Sequence, residues 1–96
     1  MAYRLVVKDE ANIDALEAYL YYEEIRIGLG TRFLESLQKR YNQLSENPQF
    51  YSFVYSDLER TLRDVKLEGF PFVILYDIEG DDVIIYSVHN TYKNRE

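Results

Sequence analysis

The 96-residue sequence contains no cysteine, no tryptophan and only one histidine. The lack of cysteine excludes a disulfide scaffold, a thiolate metal site, a redox pair and a cysteine nucleophile. It is compatible with the reducing cytoplasm, which is the expected location. The first ten residues include charged side chains and no apolar run long enough for a signal peptide or a membrane span, so we expect neither export nor membrane insertion.

Positive charge is also scarce, since 11 Lys and Arg residues face 17 Asp and Glu residues and the formal net charge is −6. Binding to nucleic-acid phosphates depends on clustered Lys and Arg side chains, so this composition argues against direct nucleic-acid binding. Hydrophobic residues make up 47% of the chain, which is enough for one core. We therefore expect a single domain over residues 1–96.

Hydrophobic periodicity predicts the element order β-α-α-β-β-β. The predicted elements are a strand at residues 3–7, a helix over about 10–26, a second helix that starts near Leu29 and stops at Asn47-Pro48, and strands over 60–68, 72–78 and 82–89. This order predicts an α+β fold in which a two-helix hairpin packs on an antiparallel sheet.

The first predicted helix carries Ile13, Leu16 and Leu20 on one face. We therefore expect an amphipathic helix that shares an apolar face with the second helix and covers the sheet. Gly28 and Gly30 separate the two helices. We interpret this Gly-x-Gly as a connector, because it lacks the preceding strand and the spacing of a dinucleotide-binding motif.

Tyrosine is abundant, with 10 residues in the chain, and three of them lie in the first predicted helix: Tyr19, Tyr21 and Tyr22. Aromatic residues with polar tips are common at protein contacts, so we expect core or interface positions with the hydroxyls at the surface. Stacking on RNA bases is the alternative, and the acidic composition disfavours it.

His89, the only histidine, ends the last predicted strand. Histidine is the side chain best suited to proton transfer near neutral pH, so His89 is a candidate general acid or base. The alternative is a structural residue at the sheet edge. One histidine without cysteine gives no metal-ligand spacing, so we expect neither a metal site nor a cofactor.

Three cations, Arg60, Arg63 and Lys66, lie within the fourth element of the predicted order. Strand alternation places Arg63 on the opposite face from the other two. Because Arg63 shares its face with Val65, it is either held against a partner group at a site or lies at a solvated strand end, paired with Asp57 or Glu59. The sequence leaves both interpretations open.

The combination of segments resembles the ParE-type branch of the RelE/ParE toxin superfamily. The matching features are the opening strand, YYEEIRIGLGTRFLESL (Tyr21 to Leu37), LSENPQFY (Leu44 to Tyr51), Arg63 before Phe70-Pro71-Phe72, and the last strand ending at His89. The resemblance implies the toxin of a bacterial type II toxin–antitoxin module, of the kind associated with plasmid stabilisation. It also implies a labile antitoxin as the partner, which we expect to contact the helical hairpin and the edge strands.

Two activities occur in this superfamily. RelE-like members cleave messenger RNA in the ribosome without a metal ion, whereas ParE-like members are described as inhibitors of DNA gyrase. For RNA cleavage, the resemblance implies phosphate stabilisation by Arg63, acid or base catalysis by His89 with Tyr92 as a second candidate, and positioning of the RNA backbone by Lys66 and Lys93. The tail carries Arg95 where the family often continues with proline.

The acidic composition favours a toxin that binds a protein target such as DNA gyrase. A ribosome-dependent endoribonuclease is the first alternative, and an inactive toxin-fold interaction module is the second. Whether the protein is an enzyme and whether it forms a homodimer stay open at this point.

Overall fold

A computed structural model describes residues 2–54 and 59–92; Asp57, Lys93 and Arg95 lie outside these ranges. The elements are β1 (Arg4–Val7), α1 (Asp9–Ile25), α2 (Leu29–Glu46), a 3₁₀ turn (Pro48–Phe50), β2 (Leu62–Lys66), β3 (Phe72–Glu79) and β4 (Asp82–Asn90). The predicted order and the α+β fold class are thereby confirmed, with two helices packed on one four-stranded sheet.

The sheet has the strand order β1-β4-β3-β2 and is mixed. Strands β2, β3 and β4 form an antiparallel meander, whereas β1 pairs with β4 in parallel, Leu5 lying opposite Val83. The parallel pair is the one departure from the expected antiparallel sheet. Strand β1 adds to the edge of β4 that β3 leaves free and runs in the same direction as β4.

The β3–β4 hairpin confirms the predicted turn. Gly80 has a φ of 62°, which suits the first central position of a type II′ turn. The pairing of the two strands skips Tyr86, so that Leu75 faces Ser87 while Tyr76 faces Ile85. This bulge allows both Ile85 and Val88 to be buried in the core.

An aromatic cluster fills the core between the helical hairpin and one end of the sheet. The ring of Tyr22 lies 5.7 Å from the ring of Phe33, 5.0 Å from that of Phe70 and 6.1 Å from that of Phe72, measured between centroids. These edge-on and offset contacts are favourable geometries for aromatic pairs. Of the three tyrosines in α1, Tyr22 is therefore the one that packs against the core, as expected.

Helix α1 is oriented differently from the expectation. Its buried residues are Ala11 and Ala18, whereas Ile13, Leu16 and Leu20 are 55%, 57% and 54% exposed. The small alanine side chains allow α1 to lie close to the sheet, and the larger aliphatic side chains lie on the opposite side of the helix. The periodicity identified the shared face of Ile13, Leu16 and Leu20 correctly, but the inference that this face covers the sheet is wrong.

Candidate functional site

Arg63 on β2 binds the backbone of the 3₁₀ turn and of the residue that follows it. Its Nη1 atom donates hydrogen bonds to the carbonyl oxygens of Tyr51, at 2.6 Å, and Gln49, at 3.3 Å. Its guanidinium carbon lies 3.9 Å from the centroid of the Phe53 ring, a cation–π contact. The structure therefore shows Arg63 held by groups of this chain, whereas Asp57, which the alternative interpretation named as a partner, lies outside the described residues.

Tyr76 holds the start of the 3₁₀ turn against the sheet. It is fully buried on β3, directly opposite Arg63, and its hydroxyl donates a 2.7 Å hydrogen bond to the carbonyl oxygen of Pro48. Burial raises the pKa of the Tyr76 hydroxyl, and the positive charge of Arg63 partly opposes this effect. Arg63 and Tyr76 together attach residues 48–53 to the sheet.

His89 and Lys66 lie on the other face of the sheet. His89 is paired with Val73, and Val73 is paired with Lys66 on its other side, so the three share one face. The Cα atoms of His89 and Lys66 are two strand spacings apart, about 10 Å. The Nδ1 atom of His89 lies 3.3 Å from the hydroxyl oxygen of Ser87. The expected separation of Arg63 from Lys66 by strand alternation is confirmed.

The structure therefore does not bring Arg63 and His89 together. Arg63 is paired with Tyr76 on the helix-covered face, whereas His89 is paired with Val73 on the opposite face. A general acid or base and a phosphate-binding cation must contact the same phosphodiester group during RNA cleavage. Tyr92 lies in the turn after β4 and is 85% exposed. The catalytic and positioning roles given to these residues, and to Lys93, stay predictions.

Glu23 occupies the start of α2. Its carboxylate oxygens accept hydrogen bonds from the backbone amides of Gly28 and Gly30, both at 2.9 Å. These amides are among the first donors of the helix and are the groups that an anionic ligand would otherwise contact. The interpretation of Gly28 and Gly30 as a connector is confirmed, and a side chain of the protein itself takes the place of a bound phosphate.

A cleft of about 290 Å³ lies between α1 and the edge of β4. Strand β1 covers this edge only as far as Ile85, and Asp14 of α1 accepts a 3.0 Å hydrogen bond from the backbone amide of Val88 beyond it. The negative charge of Asp14 also acts on Tyr41 of α2. Burial is the main cause and this charge the smaller one that together raise the pKa of the Tyr41 hydroxyl to about 12. The cleft is lined mainly by Asp14, Glu17, Tyr21, Phe72, Val88 and His89. Asp14 thus connects α1 to the part of β4 that β1 leaves unpaired.

A second, more open depression lies on the opposite side of the helical hairpin. It contains Arg26, Arg32 and Lys39, but Lys39 forms a 3.0 Å ion pair with Glu68, and Glu35 lies in the same depression. The Lys39 ammonium holds the pKa of the Glu68 carboxyl below its usual value. Cations and anions are mixed here, so the depression does not form a strongly basic surface.

The aliphatic face of α1, formed by Ile13, Leu16 and Leu20, is exposed although its periodicity is typical of a buried face. Within residues 2–54 and 59–92, no group of three or more His, Cys, Asp or Glu side chains is positioned to hold a metal ion. Across the same described ranges, none of the helices combines the length and the apolarity that a membrane crossing requires.

Comparison with known proteins gives three findings. Residues 5–93 match the family model described as "ParE toxin of type II toxin-antitoxin system, parDE". A solved structure described as "Chromosomal ParDE TA system from P. aeruginosa" superposes with a TM-score of 0.79 at 16% sequence identity, over 93% of this chain and 96% of that one. No curated protein matches the sequence. At 16% identity the structural match establishes only the fold. The assignment of the chain to a family depends on its match to the family model over residues 5–93.

Proposed function

Since this chain belongs to the family of ParE toxins of type II toxin–antitoxin systems, we propose that it stops growth by binding a protein target such as DNA gyrase. We propose in addition that a cognate antitoxin, contacting the helical hairpin and the sheet edges, neutralises it. We propose the cytoplasm as its location, where such a target and an antitoxin would meet it.

The position of Arg63 is the observation that supports a protein target rather than RNA cleavage. Two hydrogen bonds from its guanidinium go to backbone carbonyls of the same chain, and its ring contact is with Phe53. An arginine that stabilises a phosphorane would present its donors to the substrate, with the acid or base beside it. Here His89 lies on the other face of the sheet, so these two groups do not form a combined site.

The distribution of charge and apolar surface supports the same choice. Exposed aliphatic residues follow one another along α1, and the net charge of the chain is −6. Ribosomal RNA presents a dense array of phosphates that repels such a molecule, whereas a protein partner can cover apolar surface.

Growth and DNA supercoiling test the proposed target. The toxin is expressed from a tightly controlled promoter in a bacterial host, and the topoisomers of a reporter plasmid are separated by gel electrophoresis. The expected result is growth arrest with relaxed plasmid, and inhibition of purified gyrase in a supercoiling assay. The variant His89→Gln should retain both effects, because the proposed mechanism uses no proton transfer.

Two results would contradict this mechanism. Growth arrest with normal supercoiling, accompanied by cleavage of messenger RNA on programmed ribosomes that His89→Gln abolishes, would identify a RelE-like endonuclease. Unchanged growth at a verified level of folded toxin would identify an inactive interaction module.

The antitoxin is tested separately. The product of the gene adjacent to the toxin gene should restore growth when it is co-expressed, and the two proteins should co-purify as a stable complex. Absence of a complex between the two purified proteins at micromolar concentration would contradict neutralisation by direct binding.

A further inference from the structure

The outward face of α1 has the pattern of one half of a coiled coil. Ile13, Leu16 and Leu20 follow the spacing of the a, d and a positions of a heptad, and each is more than half exposed. In a coiled coil these positions insert between side chains of a second helix. Their spacing along α1 covers about 10 Å of helix, which a short partner helix can span.

The same face carries a row of negative charge at one side of this apolar seam. Glu10, Glu17 and Glu24 are all exposed and are seven residues apart, so each occupies the e position of its heptad. Charged residues at e and g positions decide which helix can pair with a coiled-coil seam. The row extends over about 21 Å, from the first turn of α1 almost to its end.

No other described element covers this face, because α1 packs on the sheet through Ala11 and Ala18, on the opposite side of the helix. Helix α2 approaches α1 at another position, where the backbone oxygen of Tyr19 lies against Gly30. The three aliphatic residues are thus available to a partner.

We propose that the α1 seam, formed by Ile13, Leu16, Leu20, Glu10, Glu17 and Glu24, binds a basic amphipathic helix of the antitoxin. Aliphatic side chains of that helix cover the three apolar residues, and its Lys or Arg side chains lie opposite the three glutamates. This inference rests on the proposed function for the source of the helix, and it adds the chemistry by which the partner is selected.

Charge disfavours a second copy of this chain as the occupant. In an antiparallel pair of α1 helices, the e positions of one helix lie near the e positions of the other, which brings glutamates together. Each copy also carries a net charge of −6. A basic helix removes this repulsion while covering the same apolar surface.

The test uses two synthetic helical peptides of about 18 residues, a length of about 27 Å. Both have Leu or Ile at the a and d positions; one has Lys at every e and g position, and the other has Glu there. Like charges on neighbouring chains keep each peptide from pairing with itself. Binding to the full chain is measured by fluorescence anisotropy at low and high salt.

The Lys peptide should bind at least about tenfold more tightly than the Glu peptide, and added salt should reduce the difference. Replacing Leu16 and Leu20 with glutamine should weaken binding of the Lys peptide by at least about tenfold. The triple variant Glu10→Lys, Glu17→Lys, Glu24→Lys should reverse the preference between the peptides. Because all five positions are exposed, circular dichroism should show unchanged folding.

Matched controls are available on other elements. Phe50 is an apolar residue that is 79% exposed on the 3₁₀ turn, and Glu35 is an exposed glutamate on α2. Phe50→Asn and Glu35→Lys should leave binding of the Lys peptide unchanged.

Equal binding of the two peptides, or binding of neither, would overturn the inference. A dimer in sedimentation experiments that the Leu16→Gln, Leu20→Gln variant abolishes would also overturn it, since a second copy would then be the occupant. In cells, this double variant should still arrest growth but no longer be rescued by the antitoxin. If the original toxin does not arrest growth while the peptide preferences hold, the proposed function fails and the docking surface stands.

Discussion

Replacing Gly30 with alanine should destabilise the protein, although alanine is the better helix former. Gly30 lies in the first turn of α2, and a Cβ atom there would be 2.6 Å from the backbone oxygen of Tyr19 and 2.8 Å from Oε1 of Glu23. Real Cβ atoms do not approach other atoms so closely, and the nearer of the two belongs to the backbone of α1. The two helices would have to move apart.

The size of this effect follows from three contributions. Overpacking typically costs about 1–3 kcal/mol, and a weakened hydrogen bond from the Gly30 amide to the Glu23 carboxylate adds about 1–2 kcal/mol. The higher helix propensity of alanine offsets at most about 1 kcal/mol. We therefore expect Gly30→Ala to lower the free energy of unfolding by about 2–3 kcal/mol, which corresponds to a fall in Tm of about 10–20 °C for a domain of this size.

Urea unfolding followed by circular dichroism measures this change, and the m value should stay constant because the surface exposed on unfolding does not change. Gly69→Ala is the matched control. Gly69 has a φ of 82°, but no atom lies within 4 Å of a Cβ at that position. Its replacement should cost only the strain of the left-handed conformation, about 1–2 kcal/mol. A Gly30→Ala protein as stable as the original would refute the close approach of α1 and α2.

The loop and the buried tyrosines provide three more predictions. Arg63→Ala should lower the free energy of unfolding by about 1–3 kcal/mol, because two carbonyl oxygens lose a charged donor. It should also speed proteolytic cleavage in the segment after Pro48. Unchanged stability and cleavage would contradict the anchoring of this segment by Arg63. Tyr76→Phe should cost about 1–3 kcal/mol in urea unfolding, since it leaves the Pro48 oxygen without its hydrogen bond, and a neutral effect would argue against that bond. Because Tyr41 keeps its proton in the folded protein up to a pKa of about 12, its contribution to stability should be complete below pH 10 and be lost as the pH rises from about 10 to 12. Allowing for its partial exposure to solvent, this loss should amount to about 1–2 kcal/mol. It should shrink in Tyr41→Phe, whereas an identical pH profile of unfolding for that variant would exclude Tyr41 as the source.

Local sequence patterns predicted most of the secondary structure correctly because the relevant signals lie close together in the chain. The apolar spacing of Phe33, Leu37 and Leu44 marks the buried face of α2, and Asn47-Pro48 marks its end. The turn at Gly80 joins two strands of alternating pattern. Such features need no information about distant parts of the molecule.

The candidate site was less predictable, since it depends on strand pairing. Alternation correctly separated Arg63 from Lys66, but it could not place His89 relative to Arg63, because the two residues lie on strands separated by β3. The register and the bulge at Tyr86 determine the face on which each side chain lies. The sequence also gave no indication that Arg63 would bind the carbonyl oxygens of Gln49 and Tyr51, which depends on how the loop crosses the sheet edge.

The acidic charge, the order of elements and the family resemblance follow from the amino-acid sequence alone, and the family model confirms the resemblance. Periodicity also determined that Ile13, Leu16 and Leu20 share one face of α1. The outward orientation of this face depends on the folded molecule, because a helix with alanines on one side and larger aliphatic residues on the other can bury either side. Close packing against the sheet, with the rings of Tyr22 and Phe33 filling the adjacent space, selected the alanine side and left the aliphatic side exposed.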